Sequence, residues 1–452
     1  MKSILLSLCA IIFLFHQGAL PRELGEPDLN SDEFMKRFTA SYGVLSEKEP
    51  PLSDIEKVML KKVAPIMRIN KEHAKTFLRS MTTGEEEHSA SFNYLLGNVY
   101  FENDEYLQAE EQYKLAIEAF PDFQRAWTNL GVLKLRVGDT KSALIALLKA
   151  VELGDSHSQT FGMLGFCHYA EGNYISAEVA YDRAVLAEPD NFDWLEGKAQ
   201  TYLKSQRYME AIRAQDELIA RRPRNVDYWL AQTNAYLGIQ DYQKAARNLE
   251  IARALGGDDF QSLMLLGNLY AKLGMDLPAA ETFIAAAPLA SEDDISSLLA
   301  AVKVLIQREQ FDRAEALFAK IDLQESSASN EDLFDYQVAA AELAQHRQET
   351  SKAIGLMMKA IKMQPMDGNA LVKLAKLYVK NGDRDRAYLV LDQAEHDPEA
   401  EYLALITRAK LLIEEERFSE AQTFVSRALR IESDETVQLL YQQVEEAARN
   451  VN

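Results

Sequence analysis

Small and apolar residues recur along most of the chain with the spacing of helix faces. Residues 105–121 read EYLQAEEQYKLAIEAFP, and residues 173–189 read NYISAEVAYDRAVLAEP. Both stretches keep an alanine, a tyrosine, a second alanine and a final proline, while most positions between them differ. The first three of these positions are four and three residues apart, which places them on one face of a helix. Each stretch is therefore predicted to be an amphipathic helix that ends before its proline.

The first alanine of this stretch returns along the chain with a nearly constant period. Successive copies are 34 residues apart, except for one step of 35 and one of 39. The ten copies are Ala109, Ala143, Ala177, Ala211, Ala245, Ala279, Ala314, Ala353, Ala387 and Ala421. Twelve residues before each of the first six stands a small or short residue, such as Gly97 or Gly165. The pattern predicts two antiparallel helices per period, whose backbones approach closely where the small residue faces the alanine.

The details of the repeat resemble a known family. Leu96 and Gly97 are followed by Tyr100, and Trp127 precedes Leu130 and Gly131 with the spacing W-x2-L-G. With these features in ten phased copies, the chain resembles the tetratricopeptide repeat family over about residues 90–435. The resemblance implies an all-α fold, a right-handed α-solenoid of about ten helix-turn-helix repeats with a small helical N-terminal cap. Lys134 and His168 depart from the pattern, because an aromatic residue is usual at their positions.

The repeat and its flanks predict a division of the chain into six segments. These are a signal peptide (1–20), a helical N-terminal cap with a degenerate repeat (21–89), repeats one to seven (90–321), an extended loop (322–333), repeats eight to ten (334–435) and a C-terminal capping helix (436–452). Ser53 and Glu56 predict a capping box at the start of a helix in the N-terminal cap. The loop contains LQESSASNEDL, which accounts for the step of 39 residues.

The first residues have the composition of an export signal. Lys2 precedes an apolar run from Ile4 to Phe15, and small residues follow at Gly18 and Ala19. This run has the length of a signal-peptide core and is short for a membrane span. We therefore expect a cleaved signal and a periplasmic or otherwise exported protein. An uncleaved N-terminal anchor is the alternative, because Gln17 stands where a small residue is preferred.

The net charge and the lack of known catalytic motifs argue against several classes of function. The formal net charge of -21 argues against a general nucleic-acid binder, which needs a concentrated basic surface. HExxH, CxxC, GxSxG and P-loop sequences do not occur, and no segment is left over for a catalytic domain. The prediction is a non-enzymatic protein without a cofactor or metal. Cys167 lies in the apolar stretch GMLGFCHYA and is interpreted as a small core residue.

Binding residues are nominated from the family resemblance, which implies a peptide site on the concave face lined by the first helix of each repeat. The residues nominated are Tyr94, Asn98, Thr128, Phe166, Gln200, Leu230, Asn234, Met264, Asn268, Lys373, Lys376 and Lys410. Carboxamides can donate to and accept from a peptide backbone, and apolar neighbours supply side-chain pockets. The lysines would receive an acidic segment or a carboxylate. The alternative for all of these positions is an ordinary solvated surface.

A weaker resemblance bears on the pathway. The segment FMKRFTASYGV (34–44), together with the phase of the array, is similar to periplasmic tetratricopeptide proteins that accompany TonB, ExbB and ExbD energy-transducing systems. The resemblance implies a protein or peptide partner in the bacterial cell envelope. The alternatives are a scaffold for exopolysaccharide secretion or outer-membrane assembly, and an envelope enzyme or glycan-binding factor that uses the groove for sugars.

Overall fold

The protein is described by a computed structural model over residues 49–82, 89–323, 328–432 and 435–451. These ranges contain 23 α-helices and two short 3-10 helices, with no β-strand among them. The predicted signal peptide and the FMKRFTASYGV segment lie outside the described residues. The chain divides into two compact units, which meet in sequence at Gly257 and Asp258.

The first unit consists of a pair of N-terminal helices followed by five helical hairpins. Its helices are α1 (Asp54–Ile69), α2 (Lys71–Thr82), α3 (Ala90–Glu102), α4 (Tyr106–Ala119), α5 (Gln124–Arg136), α6 (Thr140–Glu152), α7 (Ser158–Ala170), α8 (Tyr174–Ala187), α9 (Phe192–Lys204), α10 (Tyr208–Arg221), α11 (Val226–Gly238) and α12 (Tyr242–Ala254). The capping box predicted at the start of α1 is confirmed. Ser53 Oγ accepts from the Glu56 backbone N–H at 3.2 Å, and Glu56 Oε2 accepts from the Ser53 N–H at 2.7 Å.

The second unit contains five more hairpins and a final helix. Its helices are α13 (Phe260–Lys272), α14 (Asp276–Ala286), α15 (Ile295–Gln307), α16 (Phe311–Phe318), α17 (Asn330–His346), α18 (Thr350–Met363), α19 (Gly368–Lys380), α20 (Arg384–Ala394), α21 (Glu401–Glu414), α22 (Phe418–Ile431) and α23 (Glu435–Val451). Ser329 caps α17, whose first turn therefore occupies the end of the stretch predicted as a loop. The seventh hairpin is irregular, because α16 is short and two 3-10 helices, Ala287–Leu289 and Glu292–Asp294, precede α15.

In the hairpins that contain Gly97 and Gly165, the helices approach closely at the glycine, but the nearest side chain there is the ring four places after the repeated alanine and not the alanine that the repeat predicted. Ala109 and Ala177 have no exposed surface. A Cβ atom added to Gly97 would lie 2.7 Å from the ring of Tyr113, and one added to Gly165 would lie 2.8 Å from the ring of Tyr181. Real Cβ contacts are longer than this, so the aromatic ring of the second helix occupies the space that a side chain on the first helix would need.

The second helices end where the prolines predicted that they would. Helices α4, α8, α10 and α18 each end two residues before a proline. The residues between helix and proline have φ values from -129° to -143°, outside the helical range, and they are Phe120, Glu188, Arg222 and Gln364. Proline imposes this extended conformation on the residue before it.

The turn inside every hairpin uses a left-handed residue at the same place, five positions before the repeated alanine. Glycine fills it four times, at Gly138, Gly172, Gly274 and Gly382, and other residues six times, at Asp104, Gln206, Gln240, Glu309, Gln348 and Glu416. All ten have φ between 57° and 82°. The turn geometry is therefore constant although the residue type is not.

Lys134 shows how one departure from the family pattern is accommodated. Its Nζ lies 2.8 Å from Glu110 Oε1 on α4 and 3.5 Å from Asp139 Oδ2. An ion pair between neighbouring hairpins thus takes the place of the usual aromatic contact.

We expect Ala177→Arg to destabilise the protein by more than the roughly 1–3 kcal/mol typical of overpacking, because it also buries a charge. Thermal unfolding followed by circular dichroism measures the effect. Ser176→Arg is the matched control, because Ser176 is exposed on the same helix. Equal melting curves for the two variants would contradict the placement of Ala177.

The left-handed turns predict a reciprocal pair of effects. Gly172→Val should destabilise the protein by roughly 1–2 kcal/mol, because a branched residue is strained at the φ of 76° that Gly172 adopts. A Cβ at this position would meet nothing within 4 Å, so a steric clash does not contribute. Gln206→Gly, at the same place in the next hairpin, should change stability in the opposite direction. Urea unfolding of both variants checks this, and a shift of the same sign in both would show that strain in the turn is not the cause.

Candidate functional site

The first helices of neighbouring hairpins lie side by side and form one face of each unit, here called the inner face. In the first unit these helices are α3, α5, α7, α9 and α11. Asn129 Nδ2 on α5 donates to Asn98 Oδ1 on α3 at 2.8 Å, and the Tyr228 hydroxyl on α11 donates to Glu196 on α9. Seven of the nominated binding residues lie on these helices.

The start of this inner face is covered by the chain itself. The ring of Tyr94 is 3% exposed, lies 4.9 Å from the ring of Phe123 and has the Arg125 guanidinium 5.4 Å from its centre. Arg125 forms an ion pair with Glu49, which precedes α1. Burial raises the pKa of Glu49, although the charge of Arg125 opposes the shift. Arg125, which is paired with Glu49, therefore covers the ring of Tyr94.

Asn98 is part of a buried hydrogen-bond network rather than an open surface. Its Oδ1 accepts from the Tyr113 hydroxyl and from Asn129 Nδ2, each at 2.8 Å. Asn129 Nδ2 also donates to the Tyr94 hydroxyl at 3.1 Å. Only the Asn98 Nδ2 is left, buried and without a hydrogen-bond partner. The network joins the first two hairpins, and it occupies the acceptor that the sequence suggested for a peptide.

Thr128 also has a partner inside the protein. Its hydroxyl donates to Asp155 Oδ2 at 2.8 Å. The same oxygen accepts from the Thr160 hydroxyl at 2.8 Å, and the His157 backbone N–H donates to the other oxygen of Asp155 at 3.0 Å. Thr128 therefore helps to fix the loop between α6 and α7.

The middle of the inner face has carboxamides that remain available. Phe166, Gln200, Leu230 and Asn234 are half-buried, on α7, α9 and α11. Gln200 and Asn234 occupy equivalent places of adjacent hairpins, and neither amide forms a hydrogen bond within the described ranges. Gln200 Oε1 is buried without a donor. Here a ligand backbone could find both donors and acceptors.

Glu196 adds a carboxyl group to this part of the face, one helical turn before Gln200. It accepts a hydrogen bond from the Tyr228 hydroxyl. Burial, followed by the negative charges of Asp193 and Asp227, raises the pKa of Glu196, although the hydrogen bond from Tyr228 opposes the shift. The negative charge is thus incompletely compensated by its surroundings.

In the second unit the nominated residues differ in accessibility. Met264 on α13 is 6% exposed and belongs to the interior, whereas Asn268 on the same helix is half-buried. Lys373 Nζ lies 2.8 Å from Glu342 Oε1 on α17, so its charge already has a partner.

Lys376 and Lys410 are exposed basic residues on the inner face of the second unit. Both side chains are exposed, and neither has an ion-pair partner among the residues described. Lys376 lies on the inner face, and its side chain is exposed there. Partial desolvation, and then the positive charges of Lys410 and Lys373, lower its pKa. Lys376 and Lys410 stand at equivalent places of adjacent hairpins, and Lys373 lies on the same helix as Lys376.

Several charged residues of this face were not nominated from sequence. Glu342 and Lys303 occupy the places equivalent to Lys376 in preceding hairpins. Burial raises the pKa of Asp335, with the charges of Lys303 and Lys373 opposing the shift. The sequence signal that could have identified these residues is their helical register relative to the repeated alanine. The irregular steps of 35 and 39 residues obscured that register.

The described residues contain no candidate membrane span and no candidate metal cluster. None of the helices in these ranges combines the length and apolarity that a bilayer span requires. Nor do three or more His, Cys, Asp or Glu side chains come together there in a way that could hold a metal ion. Cys167 is fully buried, and burial raises the pKa of its thiol to about 12, in agreement with its interpretation as a core residue.

Comparison with known proteins gives the family. A family model described as tetratricopeptide repeat matches residues 94–158, 168–226, 197–237 and 230–294. Hsp70-Hsp90 organizing protein 3 of Arabidopsis thaliana is 24% identical over 157 residues, which are 33% of this chain and 27% of that protein. The chain thus matches only about a quarter of the length of this relative.

Solved structures of repeat proteins are also similar. A tetratricopeptide repeat protein from Parabacteroides merdae is 16% identical with a TM-score of 0.37, and the match covers 55% of this chain and 98% of that one. YrrB, described as a TPR protein with an unusual peptide-binding site, is 17% identical with a TM-score of 0.38, over 44% of this chain and 94% of that one.

The family match coincides with the hairpins and with their common register of alanines and turns. Repeats of this kind are typical of protein–protein interaction scaffolds. Residues 94–158 and 168–294 of this chain therefore consist of tetratricopeptide repeats.

Proposed function

We propose that this protein is a non-enzymatic scaffold that binds an extended segment of another cell-envelope protein on the inner face of its first unit. The binding region consists of Phe166, Gln200, Leu230 and Asn234. The observation that carries the proposal is the pair of carboxamides, Gln200 and Asn234, at equivalent places of adjacent hairpins without hydrogen-bond partners among the described residues.

Physical chemistry favours a peptide at these carboxamides. A buried polar atom without a partner, such as Gln200 Oε1, costs about 1–3 kcal/mol, which a ligand N–H would recover. Phe166 and Leu230 supply apolar contacts beside the amides, and alternate side chains of an extended peptide can use them. The Glu196 carboxyl favours a neutral or basic segment over an acidic one.

A glycan is less well supported as the ligand. Sugar binding would require aromatic faces open for stacking along the inner face. Tyr94, the first aromatic residue of this face, is instead covered by Arg125, and Arg125 is held by Glu49. Phe166 is half-buried and packs against the buried core of the first hairpins.

The second unit is proposed to hold an acidic segment or a carboxylate at Lys376 and Lys410. An anion between these side chains would relieve the repulsion that contributes to the lowered pKa of Lys376. Lys373 contributes less, because Glu342 already neutralises it.

The pathway is proposed from sequence. Export by the predicted signal peptide and the resemblance of FMKRFTASYGV support a partner in a TonB-type energy-transducing system. A scaffold for exopolysaccharide secretion or outer-membrane assembly is the alternative, and the identity of the bound protein separates the two.

Site-specific photo-crosslinking tests the first-unit site. A photoreactive amino acid at Asn234 should give a defined protein adduct in the native host, because that side chain lines the proposed site. The same probe at Gln243, which is exposed on α12 away from this face, should not. Gln200→Ala in the Asn234-probe protein should reduce the adduct. Equal labelling from both positions would reject the inner face as the binding surface.

The lysine cluster predicts a pH-dependent affinity for an acidic peptide with a free C-terminal carboxylate. The protonated form of Lys376 binds the anion, so affinity should fall as pH rises through its lowered pKa, below the ordinary lysine value of 10.5. Without ligand the sign is opposite: the unfolded chain binds this proton more tightly, so the lowered pKa makes folding less favourable at neutral than at alkaline pH. Calorimetric titrations over a pH series measure the affinity.

Two variants separate this effect from general charge. Lys376→Arg keeps its charge throughout, so affinity should become nearly independent of pH in this window. Lys410→Met removes one repelling charge and should move the loss of affinity to higher pH. A pH profile that stays the same in both variants would mean that Lys376 does not bind the peptide.

A further inference from the structure

The outer side of the first unit carries an apolar patch that its own helices leave uncovered. Six large side chains on α4, α6, α8 and α10 are between 46% and 83% exposed. They are Leu107, Ile145, Leu148, Ile175, Val179 and Met209, here called the outer patch. Soluble monomers rarely expose contiguous apolar patches larger than a few hundred Å². Such a surface is therefore typical of a contact with another molecule.

The register explains why the hairpins cannot cover this patch. Its members stand two residues before, two residues after or five residues after the repeated alanine of their helix. At about 100° per residue these three places lie on the side of the helix opposite the alanine. Since the alanine faces the interior of the hairpin, the outer patch faces away from it.

At one of its three places, the order of residues along the patch is complementary to its own reverse. Two places after the alanine, successive second helices carry an acid, two apolar residues and a base, which are Glu111, Ile145, Val179 and Arg213. Reversing this order sets acid against base and apolar against apolar. The outer two helices, α4 and α10, also match at the other two places, where Leu107 corresponds to Met209 and Lys114 corresponds to Asp216. The inner two helices, α6 and α8, do not match there, because Ile175 corresponds to Lys141 and Leu148 corresponds to Asp182.

A two-fold axis produces this reversal. The axis lies in the contact plane, parallel to the helices and between α6 and α8. Rotation about it sets each place of the repeat in one copy against the same place in the other copy. It also reverses the order of the hairpins, so that α6 faces α8 of the partner subunit. Ile145 then meets Val179 of the partner subunit, and Glu111 meets Arg213 of the partner subunit. Each contact occurs twice, as an isologous interface requires.

We propose that the outer patch is the interface of a homodimer. The charges that the pairing uses are available, because Glu111 and Arg213 are exposed and have no ion-pair partner among the described residues. Lys114 and Asp216 contribute less, since Lys114 Nζ already lies 2.7 Å from Glu110 and Asp216 already accepts from Gln232 Nε2 at 2.7 Å.

The second unit offers an internal comparison. Its residues at the same place, two after the alanine, are Glu281, Ala316, Gly355, Leu389 and Thr423. That order has no base to oppose its acid and no adjacent pair of large apolar residues. Self-complementarity at this place is therefore a property of α4, α6, α8 and α10 and not of the repeat in general; the remaining second helix of the first unit, α12, carries Arg247 there.

A homodimer of this kind goes beyond the peptide-binding proposal and does not depend on it. The contact uses the second helices, so the first helices and the inner face stay free in both copies. Two inner faces in one particle would allow a divalent or clustered partner to bind with increased avidity.

Molar mass in solution tests the interface directly. Residues 21–452 should sediment as a dimer that dissociates on dilution, and the variant carrying Ile145→Asp and Val179→Asp should be monomeric. Circular dichroism melts of this variant should stay close to wild type, because both side chains are exposed. Leu389→Asp, at an exposed apolar position of the second unit, should remain dimeric. A monomeric wild type, or a dimer that survives the double substitution, would overturn the proposal.

Charge reversal tests the register of the contact. Glu111→Arg alone and Arg213→Glu alone should each weaken the dimer about tenfold, because two like-charge contacts replace two opposite ones. The chain carrying both substitutions should dimerise as wild type does. A mixture of the two single variants should form a heterodimer, since each restores the pair that the other lost. Failure of both restorations would exclude the two-fold arrangement even if the protein is dimeric.

Discussion

The structure depends on one steric constraint, the close approach of two helix backbones inside every hairpin. The ring of Tyr113 fills the space beside Gly97, and the ring of Tyr181 fills the space beside Gly165. Because this contact recurs in the same register, equivalent residues of successive hairpins line up in columns. The inner-face column with Gln200 and Asn234 and the outer column with Ile145 and Val179 are both consequences of that register.

The helices were predictable because their signals are local. The alanine period gives the buried face of each second helix, and a proline two residues after the helix gives its end. The left-handed turns were less visible, since six of the ten use Asp, Glu or Gln rather than glycine. At those positions the packing of the two helices imposes the conformation and the residue type does not reveal it.

The candidate site was predictable in register but not in accessibility. Asn98 and Tyr94 lie on the inner face as expected. However, Asn98 is hydrogen-bonded to Asn129, and the ring of Tyr94 is covered by Arg125. The Arg125 contact is made by Glu49, 76 residues earlier in the chain, and no local pattern reports so distant a pair. The same limit applies to Lys373, whose partner Glu342 lies in a hairpin that the irregular spacing had obscured. The net charge of the whole chain does not predict the local charge of this face either. The chain carries a net charge of -21, yet the exposed inner-face groups of the second unit include Lys376 and Lys410.

The shortness of α16 affects where local unfolding of the second unit begins. Hairpins in a linear stack are stabilised by their own contacts and by those with immediate neighbours, so cooperativity is only as strong as the weakest junction. A helix of eight residues is about 12 Å long and offers little area to the helices on either side. We therefore expect fluctuations of the second unit to begin at α16, so that the hairpins before and after it can lose structure as separate cooperative blocks.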